Sequence, residues 1–192
     1  MFKRAALALA FMGAATIPAF AHLDPAEHGS IAAGFTHPLF GIDHVLAMVA
    51  VGLWAAMQGG RAIWAVPAAF IGTMAIGFAL ALAGAPLPFV EPVILASVIF
   101  IGVAVALALP IPTTAVAAMV GFFAFFHGHA HGGELGEAGA VDFAIGFIAG
   151  TALLHATGIV AGLALGKVGG RMLARIAGGA TALGGIWLVM GA

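Results

Sequence analysis

The chain is divided into apolar runs of about 20 residues each, at roughly 38–57, 62–83, 92–109, 113–130, 140–165 and 172–190. A helix of that length crosses the hydrocarbon core of a bilayer. No water is present there to bond an exposed peptide group, so only helices or a closed barrel can span it. Unbroken apolar runs, as opposed to alternating ones, select helices. The residues are 64% hydrophobic and 7% charged, against about 25% charged in soluble domains; a soluble core of this length could not hide so much apolar surface. Turn formers separate the runs: Gln58-Gly59-Gly60-Arg61, Pro86-Leu87-Pro88, Pro110-Ile111-Pro112, the His/Gly/Glu stretch 127–139, and Gly166-Lys167-Val168-Gly169-Gly170-Arg171. The pattern predicts an all-α integral membrane protein with a six-helix transmembrane bundle over 37–192.

Ahead of the bundle, Lys3 and Arg4, the apolar Ala5 to Ile17, the breaker Pro18 and the small-residue site Ala19-Phe20-Ala21 make up a cleavable signal peptide, residues 1–21. Residues 22–36 are then a polar leader in the periplasm. Threading six spans from there puts Arg61, Lys167, Arg171 and Arg175 on the cytoplasmic side, and Glu91, Glu134, Glu137 and Asp142 on or near the other. This obeys the positive-inside rule and predicts a multi-pass protein of the bacterial inner (cytoplasmic) membrane. A net charge of -1 without a Lys/Arg cluster excludes nucleic acid, leaving the lipid bilayer as the expected partner and a homo-oligomer open. There is no cysteine, so disulfides, thiolate ligands and cysteine nucleophiles are excluded.

Ionisable groups inside a span cost roughly 2.5–3.5 kcal/mol on insertion scales and normally face a bundle interior, a water-filled cavity or an ion. His37-Pro38-Leu39-Phe40-Gly41-Ile42-Asp43-His44 places two histidines and a carboxylate at the head of the first span. Proline suits the first helical position, so the helix is expected to start at His37. His37 and His44 then share a face about 10 Å apart along the axis. On a straight helix they cannot easily share one metal, which makes His37 an outer ligand and Asp43 with His44 an inner pair. Met48 continues the face, and Asp43 can ligate or hold an imidazole tautomer. A capping His37 with a structural Asp43–His44 pair is the alternative.

A second cluster, Phe126-His127-Gly128-His129-Ala130-His131-Gly132-Gly133-Glu134, closes the fourth span. Imidazoles with a nearby carboxylate suit nickel, cobalt, copper or zinc. His127 is expected inside the bundle, His129, His131 and Glu134 in the following loop, where they could equally be solvated. His155 lies alone within the fifth span, a ligand or relay group unless a carbonyl across the interface satisfies it. His22 and His28, with Asp24 and Glu27, could form a capture arm or a plain polar leader. Gly146, Gly150, Gly158, Gly162 and Gly166 fall at multiples of four in the fifth span, a spacing that lets helices approach closely.

These residues resemble the HupE/UreJ family of nickel/cobalt permeases. The likeness is carried by His37-Pro38, Gly41, Asp43-His44, Met48, Val51-Gly52-Leu53-Trp54-Ala55, Phe126-His127-Gly128-His129-Ala130 and His155-Ala156-Thr157-Gly158. It implies secondary uptake of nickel, or of cobalt, to supply enzymes such as hydrogenase or urease, with His37, Asp43, His44 and His127 as functional residues. No resident cofactor is implied; the metal is cargo. No phosphate-binding Gly-x-x-x-x-Gly-Lys-Ser/Thr loop occurs, so this chain does not hydrolyse ATP. Two other classes compete. One is an intramembrane zinc hydrolase built on His127-x-x-x-His131 with Asp43 and His44, against which Gly128 argues by disfavouring a regular helical turn. The other is a metal-sensing or structural membrane subunit.

Overall fold

The computed structural model describes residues 30–135, apart from the Glu134 side chain, and 139–191. The signal peptide, His22, His28 and Glu137 lie outside these residues. The described secondary structure is helical throughout: α1 (Ile31–Phe40), α2 (Ile42–Gln58), α3 (Ala62–Leu82), α4 (Val90–Leu107), α5 (Thr113–Leu135) and α6 (Ala140–Gly191). Helices α3, α4, α5 and α6 are long and apolar enough to cross a membrane, and the bent pair α1 and α2 makes a fifth candidate if counted as one span. Large apolar side chains such as Phe40, Trp64, Phe89, Val160, Trp187 and Met190 face outward, as lipid contact requires. The chain is a multi-pass membrane protein.

The first expected span, 38–57, is instead two helices meeting at Gly41 with a bend of 83°. The first of them starts well before His37, at Ile31, because the Ser30 hydroxyl accepts from the Ala33 amide at 3.0 Å and caps it. Residues 31–36 therefore belong to a helix, not to a polar leader. Pro38 sits near the helix's end, where its missing N–H and ring weaken the last turn. Gly41 follows in extended backbone (φ -79, ψ 115), and α2 begins directly after it.

The fourth expected span also runs further than its apolar stretch. Helix α5 continues through the histidines to Leu135, so His129 and His131 are helical rather than in a loop, and Gly128 does not break the turn. The reason lies across the interface. A Cβ at Gly128 would overlap the Met74 carbonyl of α3, and one at Gly132 the Phe78 carbonyl, so glycine here permits backbone contact that outweighs its poor propensity of about 1 kcal/mol. The α6 glycines act alike: Gly146 and Gly150 meet α1 backbone, Gly158 meets Val49 and Gly52 of α2, and Gly162 meets Ala56. Gly166, expected in the same stripe, faces open space.

The fifth and sixth expected spans form one helical run, α6, kinked where Gly169 and Gly170 leave helical φ/ψ. Its first arm, 140–168, packs across α1 and α2 in the same chain sense, with contacts advancing from Phe143 opposite Gly34 to Gly162 opposite Ala56. Its second arm, 171–191, runs antiparallel to α4, with Gly178 against Ala106 and Gly185 against Ile99. At the kinked end, Arg175 donates to the Ala106 carbonyl at 2.7 Å and Arg171 reaches the Met57 carbonyl at 3.5 Å. These are orphan carbonyls at the C-termini of α4 and α2, which cations favour.

Candidate metal site

The break at Gly41 decides the site. With α1 turned across α2, His37 is no longer two turns away from His44. Ligand atoms of His37, His44 and His131 all lie within 4.8 Å of one another, so the outer-ligand and inner-pair arrangement expected for a straight helix is replaced by one cluster. His131 completes it because continued helix turns it inward, leaving it 5% exposed. The ring centroids of His37 and His131 are 4.4 Å apart, and those of His44 and His131 are 4.8 Å apart. Phe147 of α6 walls the cluster, 4.8 Å from the His131 ring, with Phe143 stacked behind it.

The nitrogens are arranged for ligation. His44 Nε2 and His131 Nε2 are 2.6 Å apart, one donating to the other. Bond lengths of about 2.0–2.1 Å from each nitrogen to a tetrahedral divalent ion put two such nitrogens roughly 3.3 Å apart. A metal would therefore replace the shared proton while the rings separate by well under an ångström. On its other edge His44 Nδ1 lies 2.9 Å from Asp43 Oδ1, at ion-pair distance but off the ring's hydrogen-bond direction. Asp43 is in the first turn of α2, where the helix dipole favours a carboxylate. Its charge beside the imidazoles favours a cation in the cluster.

His127, one turn from His131 on α5, is fully buried. Its Nδ1 is 3.0 Å from the Phe123 carbonyl, which can only accept. The proton is thereby fixed on Nδ1 and the lone pair on Nε2, which has no partner and can serve as a further donor beside His44, 5.6 Å away between ring centroids. Met48, one turn below His44 in α2, is completely buried and offers a thioether. His129 points elsewhere: its Nε2 donates to the Ala85 carbonyl at 2.7 Å and ties the α3–α4 connection to α5. His155 is 1% exposed, with both ring nitrogens lacking partners; an unsatisfied buried polar atom costs about 1–3 kcal/mol.

Sequence reasoning missed the aromatic wall of Phe143 and Phe147, and Phe70 of α3, whose ring touches both His127 and His155. The i, i+4 spacing of Phe143 and Phe147 was the available signal. The same spacing in His127 and His131 was set aside because of Gly128.

Fold and site together define a helical, multi-pass membrane protein with an internal cluster of imidazoles and one carboxylate able to ligate a divalent cation. The HupE / UreJ protein family model matches residues 9–188. Protein HupE of Rhizobium leguminosarum bv. viciae is 45% identical over 183 residues, covering 94% of this chain and 95% of that protein. The chain belongs to the HupE/UreJ family. No solved structure matches it.

Proposed function

We propose that the protein is a secondary permease carrying divalent nickel, with cobalt as the competing substrate, across the inner membrane into the cytoplasm, where it supplies nickel enzymes such as hydrogenase or urease. The convergence of His37, His44 and His131 within 4.8 Å carries this reading, and the family membership agrees with it. Imidazole nitrogens suit late first-row divalent ions, and the absence of thiolates disfavours a site for copper(I). The metal ligands are His37, His44, His131 and His127, with Asp43 as supporting or direct ligand and Met48 below them. Glu134, His22 and His28 are accessory candidates.

The topology proposed is six crossings, with α1–α2 as one broken span and the two arms of α6 as separate spans. At about 1.5 Å per residue, the 52 residues of α6 would extend about 78 Å, far beyond a hydrocarbon core of roughly 30 Å. The arms also pack in opposite senses relative to α2 and α4. Arg61, Arg171 and Arg175 share the end opposite the histidine cluster, which supports a periplasmic mature N-terminus after a cleaved signal peptide and a site opening to the periplasm. An ion would shed water onto the imidazoles near that face, held firmly enough to desolvate yet loosely enough to leave.

Radiolabelled nickel uptake in cells expressing the chain tests this, with Asp43→Asn, His44→Ala and His131→Ala alongside. Robust wild-type uptake lost in the variants supports the permease. The continuous α5 helix favours a second reading, because it does align His127 and His131 as a helical H-x-x-x-H pair, as an intramembrane zinc hydrolase would. Stoichiometric zinc held without any uptake would favour that hydrolase.

A further inference from the structure

Below the outer cluster the interior holds an imidazole that the cluster does not use. His155 is buried on the first arm of α6, and neither ring nitrogen has a partner. A neutral imidazole carries one donor and one acceptor, so leaving both unmet inside a bundle calls for something to occupy the space beside them. His155 is not among the residues whose ligand atoms converge with His37 and His44. Instead its ring stands edge-on to Phe70, with centroids 4.9 Å apart at 83°. The same Phe70 ring lies 5.8 Å from His127 and is wholly buried. One turn from His155 toward the cluster, the buried Thr151 hydroxyl donates to the Met74 sulfur at 3.8 Å. A soft thioether and a hydroxyl thus stand beside Phe70 on the cluster side of His155, level with the Gly128 turn that packs on Met74, and the His155 imidazole lies one turn further in.

We propose that His155 is the principal ligand of a second, inner divalent-cation station, divided from the outer cluster by the Phe70 ring. The proposal rests on the permease reading and deepens it: the transported ion is held twice in succession. The inner set is weaker, because one imidazole replaces three or four imidazoles and a carboxylate. A descending order of affinity lets the ion move inward and leave, as conduction requires. The apolar Phe70 ring keeps the two stations from emptying into each other until it rotates aside.

The test is nickel binding by equilibrium dialysis on the purified full-length chain in lipid nanodiscs, paired with radiolabelled nickel uptake into proteoliposomes, with thermal unfolding to report the fold. Wild-type protein binds a second, weaker equivalent. His155→Asn and His155→Ala lose that equivalent, keep the first, and slow uptake by about tenfold or more, the scale of removing a metal-supporting group. Phe70→Ala keeps both equivalents and raises passive nickel leak. A folded His155→Asn protein with normal uptake and both equivalents overturns the proposal, as does loss of both equivalents together, or a Phe70→Ala protein with wild-type leak. Wild-type protein that neither binds nor transports nickel would instead defeat the permease reading itself, and the inner station with it.

Discussion

Gly41 is the position where one methyl group tests the whole account, because changing it removes no ligand. Its backbone is extended and open to any residue, so Gly41→Ala introduces no dihedral strain. The added Cβ would stand 2.6 Å from His44 Nδ1 and 3.0 Å from Asp43 Oδ1. Nonbonded contacts settle near 3.5 Å, so the imidazole must retreat by about 0.9 Å. It has little room to do so, since His44 is 6% exposed and is hemmed in by His37, His127, His131 and Phe147. Metal–ligand distances tolerate only about 0.2 Å. We expect nickel affinity to fall about 10–100-fold, as when the support of a metal ligand is disturbed, or roughly 1.4–2.8 kcal/mol of binding free energy. Calorimetric titration of the purified variant measures it. Gly72→Ala serves as the control, because Gly72 faces open space on α3. Wild-type affinity in Gly41→Ala at unchanged thermal stability would refute the geometry on which the site is built.

The other expectations are shorter. Asp43→Asn keeps the shape beside His44 but removes the charge, and should lower nickel affinity about 10–100-fold without unfolding the protein, as read by equilibrium dialysis. The two outer histidines of α5 should separate cleanly: His131→Ala abolishes uptake, whereas His129→Ala loses only the bond to the Ala85 carbonyl, costing about 0.5–1.5 kcal/mol of stability with uptake retained. Gly158→Ala drives a methyl into the Val49 carbonyl and the Leu53 amide, and overpacking of about 1–3 kcal/mol should lower the unfolding temperature in detergent.

Membrane residence was legible because it depends on composition summed over long windows, where no single residue decides. The interiors of α3 and α4 fell where the apolar runs put them for the same reason. The errors gathered at glycine and proline. Gly128 looked like a helix breaker on propensity alone, but its value comes from the Met74 backbone lying against it, and nothing near it in sequence announces that partner. Pro38 looked like a first helical residue, but Ser30 supplies an earlier cap. His37, Asp43, His44 and His127 stand out in the sequence as site candidates because charge and imidazole are costly in lipid wherever they sit. His131 was undervalued because its burial depends on α5 outlasting its own apolar stretch.

The broken first span explains how a small bundle can hold an ion at all. An unbroken helix uses its own carbonyls and amides and spaces its side chains at fixed rises, so His37 and His44 would remain about 10 Å apart. Breaking it at Gly41 leaves backbone groups unpaired, which lipid does not tolerate except where they are buried in protein or line a cavity. Gly34 on the Phe143 backbone and Gly146 on the backbone of Ile31 and Phe35 press α1 against α6 and keep that break inside the protein. The glycines that pack α1 and the histidines of the proposed metal site are therefore parts of one device. The first set holds the chain in a bend that the second set needs, which is why a metal site of three imidazoles can form from helices that individually present no more than two.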